Sequence, residues 1–366
     1  MVRKRAVTLA DGRALFYFGD LPERPSDYPD RRPLPAVDVW SEARWDRLRG
    51  EWVVIASHRQ QRTFQPSDDQ CPLCPSRDGR STEIPAPEYD VVVFENRFPT
   101  LRGKDASDLP ADDRSLGPQG PVLFSRPAGG RCEVVCFSQR HDASFADLNP
   151  AQAAIVMAAW ADRSAELARM PGVEQVYCFE NRGADIGVTL PHPHGQIYAY
   201  PYVAPISDRM LRSCVSYRRA TGRNLFDDLV QAELAGSTRI VSRGTHWIAF
   251  VPFAARWPYE VHLYPVQRVP DLPALGAPAR AEFCELYLDL LRRFDRLFDR
   301  PAPYVSAWHQ APVRRGRADF ALHLELFTIR RASGKLKYLA GSESGMGAFA
   351  NDIRPEAAAE QLRRLG

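Results

Sequence analysis

The sequence has no apolar run near the ~18–20 residues that a membrane-spanning helix requires, so no membrane span is expected. It also has little net charge: 48 basic residues against 45 acidic ones leave +3. That balance argues for neither nucleic acid nor a membrane surface as a partner. The basic start, Met1-Val2-Arg3-Lys4-Arg5, lacks the apolar segment that would make it a signal peptide. Seven cysteines are an odd number in a chain of 366 residues. They argue against a disulfide scaffold and for a reducing, cytoplasmic setting. What remains is ordinary for a soluble globular protein, with 45% hydrophobic and 25% charged residues. The length allows two domains or one large one.

One stretch carries most of the chemical information: Leu190-Pro191-His192-Pro193-His194-Gly195-Gln196-Ile197-Tyr198. Proline is held near extended φ and biases the residue before it to extended geometry. His192 and His194 lie two apart on such a run, so their rings leave the same side of the backbone. The segment Ile197-Tyr198-Ala199-Tyr200 reads as a strand, and Gly195 is expected to let an anion approach the backbone. Two imidazoles and the Gln196 amide on a rigid backbone suit a phosphate.

The run His192-Pro193-His194-Gly195-Gln196 resembles the active-site signature of the galactose-1-phosphate uridylyltransferases, the transferase branch of the histidine-triad superfamily. The resemblance extends along the chain. Glu51 to Ala56 reads as a buried strand leading to Arg59 and Arg62, whose guanidinium groups can meet phosphate. Tyr89 to Phe94 is a strand, followed by Glu95-Asn96-Arg97-Phe98-Pro99. The resemblance makes Arg59, Arg62 and Asn96 nucleotide contacts. Val173 to Glu180 is a strand that exits into the glycine-bearing loop Asn181-Arg182-Gly183-Ala184-Asp185-Ile186-Gly187-Val188-Thr189. Here Asn181, Gly187 and Thr189 correspond to family contacts with nucleotide or phosphates.

Cys71-Pro72-Leu73-Cys74 is the only C-x-x-C. It reads either as a redox pair or as half of a zinc site whose other ligands come from elsewhere, with His141 and His192 as candidates. The family resemblance implies structural zinc on Cys71, Cys74, His141 and His192.

The second half echoes the first. Trp247 to Phe253 echoes the strand ending at Phe94. Glu260-Val261-His262-Leu263-Tyr264-Pro265 echoes Glu133-Val134-Val135-Cys136-Phe137-Ser138. A helix from about Pro278 to Phe298 echoes the one that Asn149 caps and Pro150 opens. Ala321-Leu322-His323-Leu324-Glu325-Leu326 stands where the Pro-His-Pro-His strand stood. The expected fold is therefore α+β: two tandem histidine-triad-like units, each an antiparallel sheet with packed helices. The boundaries are an N-terminal arm at 1–35 with one short strand at 14–18, a catalytic unit at 36–204, and a second unit at 205–366.

The chemistry follows from the residue types. Attack on a nucleotide–sugar diphosphate releases a phosphate monoester with a second pKa of about 6, which leaves near neutral pH without a general acid. A neutral histidine nitrogen is a competent nucleophile when its other nitrogen is held protonated. His194 fits this role, and the family supplies a backbone carbonyl of the same motif as the acceptor. Histidine-triad hydrolases resemble His-x-His-x-His, with a third histidine where this chain has Gln196. An amide donates to a phosphate oxygen but neither gives nor takes a proton, which favours holding a covalent nucleotidyl-histidine until a second phosphate arrives. The resemblance implies UDP-glucose plus galactose 1-phosphate giving UDP-galactose plus glucose 1-phosphate, on a homodimer. Two alternatives stay open: a nucleoside-diphosphosugar phosphorylase of the ADP-glucose type, and a non-catalytic nucleotide-binding module.

The C-terminal stretch departs from the family. Lys337 matches a family contact, but Gly341-Ser342-Glu343-Ser344-Gly345-Met346-Gly347 lacks the expected Tyr and Gln, so sugar selectivity is not implied. Some members bind a second metal through Glu and three histidines. His309 and His323 match two of these, Glu325 replaces a third, and no acidic partner follows Tyr198 at the right spacing. A degenerate second metal site is one reading, and none at all is the other.

Overall fold

The computed structural model describes residues 2–19, 28–36, 39–61, 66–77, 79–102 and 120–366. Its centre is one antiparallel sheet of eleven strands, in the order β1-β2-β5-β7-β9-β8-β13-β14-β12-β11-β10. The first half contributes β1 (Arg3–Thr8), β2 (Ala14–Gly19), β5 (Val91–Glu95), β7 (Arg131–Cys136), β8 (Gln175–Arg182) and β9 (His194–Tyr200). The second half contributes β10 (Ile240–Arg243), β11 (Trp247–Phe250), β12 (Tyr259–Pro265), β13 (Tyr304–His309) and β14 (His323–Thr328). A small sheet of β3 (Glu42–Asp46), β4 (Glu51–Ile55) and β6 (Ser125–Pro127) stands beside them.

The expected α+β repeat is visible in the strand order. Strands β5-β7-β9-β8 run inward from one side and β11-β12-β14-β13 from the other, meeting where β8 pairs with β13. The two units therefore share a single sheet rather than carrying one each. Gln196 faces Phe179 across β9 and β8, and Glu325 faces Ala307 across β14 and β13. Positions 179, 180 and 181 thus correspond to 307, 308 and 309.

The register corrects one expected equivalence. Val134 pairs with Gln196, and His262 pairs with Glu325. His262 is therefore the counterpart of Val134, and Glu260 of Cys132, one residue away from the alignment Glu260 with Glu133. In a strand a slip of one reverses every side chain. Glu133 points to the helix side, where Arg163 donates to it at 2.8 Å, whereas Glu260 lies on the opposite face with His262.

Two long helices, α1 (Pro150–Leu167) and α4 (Ala277–Arg296), cover one face of the sheet, and the short C-terminal helix Pro355–Arg364 adds Ala358, Ala359 and Leu362 to the same core. Asn149 caps α1 by accepting from the Gln152 N–H at 2.9 Å, and Pro150 opens it. Their apolar faces close over Val135, Ile197, Val176, Cys178, Trp308, Leu263 and Leu326 in one core running across both repeats. The other face carries polar residues of β9, β8, β13, β14 and β12. It is flanked by α2 (Pro205–Thr221) and α3 (Leu225–Gly236) on the second-repeat side.

The N-terminal segment is not an arm throughout. β1 and β2 form a hairpin, and β2 extends the sheet by pairing Leu15 with Phe94. Its charge disguised it: Lys4 reaches Asp162 of α1 at 2.6 Å, so this lysine is paired with the helix rather than solvated. No helix among the described residues is long and apolar enough to cross a membrane.

Candidate active site and metal clusters

His194 opens β9 directly after Pro193, whose carbonyl accepts from the Phe137 N–H at 3.2 Å. The His194 Nδ1–H donates to the His192 carbonyl at 2.8 Å. A carbonyl only accepts, so this bond fixes the proton on Nδ1 and leaves the Nε2 lone pair free. Burial lowers the His194 pKa, opposed by that bond, so the ring is neutral at neutral pH. Gln196 and Tyr198 follow on the same face of the strand. Gly195 serves a different purpose from the one expected. A Cβ there would stand 2.7 Å from the Phe137 ring and 2.9 Å from the Phe179 carbonyl, so the glycine lets the strand sit tightly on the helix-side core.

A cavity of about 620 Å³ lies beside the motif, lined by His194, Asn181, Thr189, Glu180 and Arg182 among others. Gly187, in the same loop, has φ 82°, a left-handed conformation that favours glycine. Arg59 donates to the Phe98 carbonyl at 3.2 Å and to Thr100, and lies 3.5 Å from the Tyr198 hydroxyl. Asn96 shapes the same turn by accepting from the Phe98 N–H at 2.8 Å. Arg59 and the Asn96 turn thus reach the sheet face that carries Gln196. Arg62 lies outside the described residues. Lys337 is turned elsewhere. The hairpin of Arg330–Ala332 and Lys335–Leu336 directs it to Glu343, at 3.3 Å, and to the Ala350 carbonyl.

Cys71, Cys74, His141 and His192 come together from three separate segments, with one ligand atom each within 4.8 Å of one another. The Cys74 sulfur is 3.4 Å from His141 Nδ1 and 3.7 Å from His192 Nδ1. The outer nitrogens are already spoken for. His192 Nε2 lies 2.8 Å from the Ser138 carbonyl, and His141 Nε2 lies 3.2 Å from Asp68. Both rings therefore turn Nδ1 inward, as metal-binding histidines oriented by outer hydrogen bonds do. Burial pushes the Cys71 thiol up to about 11 and the His192 imidazole down to about 4. Two sulfurs and two imidazoles form the donor set of a closed tetrahedral zinc site.

A second cluster lies on the same sheet face in the other repeat. His309 Nε2 is 3.3 Å from Glu325, His323 Nε2 is 3.5 Å away, and His262 Nε2 is 3.6 Å away. Glu260 adds a contact of 2.9 Å to His262. His323 donates from Nδ1 to the Ala321 carbonyl at 2.9 Å, and its fully buried Nε2 has the Glu325 carboxylate beside it at the long distance of 3.5 Å. Burial lowers His323 to about 4. Burial alone would raise Glu325, but His309 and His262 hold it well below the usual carboxylate range. His309, His323 and Glu325 were expected together.

The family models for galactose-1-phosphate uridyl transferase match this chain twice, the N-terminal domain over residues 22–204 and the C-terminal domain over 210–366. The chain belongs to the galactose-1-phosphate uridylyltransferase family. A galactose-1-phosphate uridylyltransferase from Streptomyces lividans is 48% identical, covering 100% of this chain and 98% of that protein. A solved uridylyltransferase structure superposes with a TM-score of 0.76 at 30% identity, covering 88% of this chain and 98% of the other. An ADP-glucose phosphorylase from Arabidopsis thaliana shares the fold at 22% identity and a TM-score of 0.65, over 89% of this chain and 99% of its own.

Reading this family member from sequence alone missed three carboxylate and imidazole groups. Glu260 and His262 had a legible signal, since an i, i+2 pair on a strand shares one face; the register slip hid it. Glu180 had none. It is buried on the helix side of β8, with Oε1 accepting from the Tyr304 hydroxyl at 3.0 Å and Oε2 unpartnered.

Proposed function

We propose that this chain exchanges uridylyl groups, converting UDP-glucose and galactose 1-phosphate to UDP-galactose and glucose 1-phosphate through a uridylyl-histidine on His194. The observation that carries this reading is the 2.8 Å bond from His194 Nδ1 to the His192 carbonyl. It presents Nε2 as a neutral nucleophile. Nε2 attacks the α-phosphorus as its bond to the β-phosphate oxygen breaks, and glucose 1-phosphate departs without needing a proton. A phosphate oxygen of galactose 1-phosphate then attacks the same phosphorus and frees His194. Gln196 donates to a phosphoryl oxygen throughout. Arg59, Arg62, Asn96, Asn181, Gly187 and Thr189 are assigned to nucleotide and phosphates.

The residues fit a structural zinc on Cys71, Cys74, His141 and His192. Bound there, zinc would supply a cross-link between the C-x-x-C loop and the strand entry. His192 would then be fixed by its side chain while its carbonyl holds His194 in the right tautomer. The second cluster also fits a divalent cation, on His309, His323 and Glu325 with His262 and Glu260 beside them. The convergence of three imidazole Nε2 atoms on the Glu325 carboxylate supports that reading over an unused site. Exposed apolar side chains around β3, β4 and β6, including Leu48, Val122 and Leu123, support a homodimer.

The test is mass spectrometry of the protein after UDP-glucose alone, followed by addition of acceptor. A UMP adduct that is absent in His194→Ala and is discharged to UDP-galactose by galactose 1-phosphate is the expected result. Discharge by inorganic phosphate instead would identify a phosphorylase, and no adduct at all would identify a binding module. Sedimentation or light scattering reads the dimer.

A further inference from the structure

The loop between β8 and the Pro-His-Pro-His run belongs to the first repeat but is held from the second. Ala184–Ile186 form one 3-10 turn between Gly183 at φ 101° and Gly187 at φ 82°. The turn has two backbone bonds of its own. The Ile186 N–H donates to the Gly183 carbonyl at 3.2 Å, and the Gly187 N–H to the Ala184 carbonyl at 2.8 Å. A segment with a glycine at each end regains much conformational freedom when it opens. Yet Gly183, Ala184, Val188 and Thr189 line the cavity together with His194.

Asp185 ties this turn outward. Arg330, which opens the Arg330–Ala332 strand, donates to Asp185 Oδ2 at 2.8 Å. The same guanidinium donates to the carbonyl of Pro301, another cavity residue, at 3.3 Å. Arg330 is 1% exposed, and its backbone N–H donates to the Thr328 hydroxyl at the end of β14 at 3.0 Å. Arg300 also stands 3.7 Å from Asp185, but its side chain is 61% exposed, where such a contact is weak. One buried guanidinium therefore joins the turn, the connection into β13 and the exit of β14. The start of the loop is fixed separately, by Arg182 on Asp295 of α4 and by Gly183 against Pro303.

We propose that Asp185 and Arg330 are a positioning pair, whose ion pair keeps the Gly183–Thr189 turn in the shape that meets the diphosphate of the nucleotide sugar. Both act through the turn, not on the substrate. This rests on the assignment of Gly187 and Thr189 to nucleotide and phosphates. A loop that is binding-competent only part of the time weakens apparent affinity by that fraction. The pair raises the fraction before ligand arrives. The histidines have their own supports, His192 on the Ser138 carbonyl and His194 on the His192 carbonyl. Loss of the pair should therefore weaken binding and spare the chemical step at saturation.

The experiment combines three measurements: UDP-glucose Kd by calorimetry, adduct rate and amplitude at saturating UDP-glucose by rapid quench, and amide exchange of residues 183–189 without ligand. Asp185→Asn keeps the volume and an acceptor but removes the charge. Its Kd should rise roughly tenfold, as loss of a charged hydrogen bond implies. Its turn amides should exchange roughly tenfold faster. Its adduct amplitude should be full and its saturated rate within about threefold of wild type. Arg330→Lys keeps the charge without the fork that reaches Asp185 and Pro301 together, and should fall between. The double variant Asp185→Asn/Arg330→Gln should bind no more weakly than the worse single variant, because partners in one interaction are not additive.

An Asp185→Asn protein with wild-type Kd would overturn the proposal. So would a raised Kd with unchanged exchange in the turn, or losses that multiply in the double variant. Lost amplitude at unchanged Kd would show a merely structural pair and overturn it too. If Arg330→Gln does not fold, Asp185→Asn decides by itself, since Asp185 is exposed. Absence of any adduct in wild type, alongside the expected shifts in Kd and exchange, would overturn the uridylyl-transfer reading and leave the role of the pair standing.

Discussion

At the start of β9 and again at the start of β14 the backbone makes the same arrangement. His194 donates from Nδ1 to the carbonyl two residues back at 2.8 Å, and His323 does so at 2.9 Å. Both rings thus turn Nε2 toward the sheet face, and that of His323 meets the Glu325 carboxylate at 3.5 Å. Around His194 the neighbouring strand positions hold Gln196, Asn181 and Val134; around His323 they hold Glu325, His309 and His262. The first set offers an amide and open cavity, which suits an anionic phosphate. The second offers a carboxylate and two more imidazoles, which suits a cation. One strand geometry thus yields a nucleophile or a ligand according to whether its neighbours leave room and which charge they bring.

The sharpest way to break this comparison is to remove each histidine in turn. His194→Ala should lower exchange by at least ~10⁴-fold, as loss of a covalent nucleophile does. His323→Ala should leave adduct formation within about tenfold of wild type. Adduct formation measured by rapid quench decides between them; equal losses would mean that the second cluster takes part in chemistry.

The zinc reading predicts an intermediate effect. Cys74→Ala should remove one equivalent of zinc, measured by plasma emission, and lower its affinity by at least ~10–100-fold. Exchange should fall with it, because the His192 carbonyl loses its anchor. Full zinc content in the variant would sink the four-ligand assignment.

A smaller effect is expected at the second cluster. Glu325→Gln removes the one charge shared by His262, His309 and His323. It should cost about 3 kcal/mol of stability, seen as a lower Tm, together with loss of any second metal. An unchanged Tm would show that the carboxylate is not the centre of the cluster.

The finest discrimination concerns Gln196. Changing it to His places a titratable ring beside the intermediate, able to activate water. UMP release should rise severalfold as a share of turnover, without abolishing the chemistry. The ratio of UMP to UDP-galactose, at matched UDP-glucose consumption, is the readout. An unchanged ratio would assign protection of the intermediate to water exclusion instead.

Much of this is legible in the sequence. The Pro-His-Pro-His run, the lone C-x-x-C and the echo of the first half in the second are local patterns. Proline geometry, metal-donor chemistry and strand periodicity make such patterns readable. The N-terminal hairpin was not, because Arg3, Lys4 and Arg5 look like a solvated arm until Asp162 and Glu166 of α1 stand opposite Lys4. Nor was the purpose of Gly195, which depends on a ring from β7's exit and a carbonyl from β8.

The sequence by itself determined the element types, the duplication and the family motif, because these rest on near-neighbour spacing and backbone preference. Only the tertiary structure decided which strand positions correspond between the repeats, since register is set by pairing across the sheet and not along the chain. It also decided that His262 and Glu260 join His309, His323 and Glu325, and that Glu180 is buried beside the cavity with one oxygen unpartnered. Those outcomes depend on distances between residues remote in sequence, and on the exclusion of water by packing, neither of which a linear pattern contains.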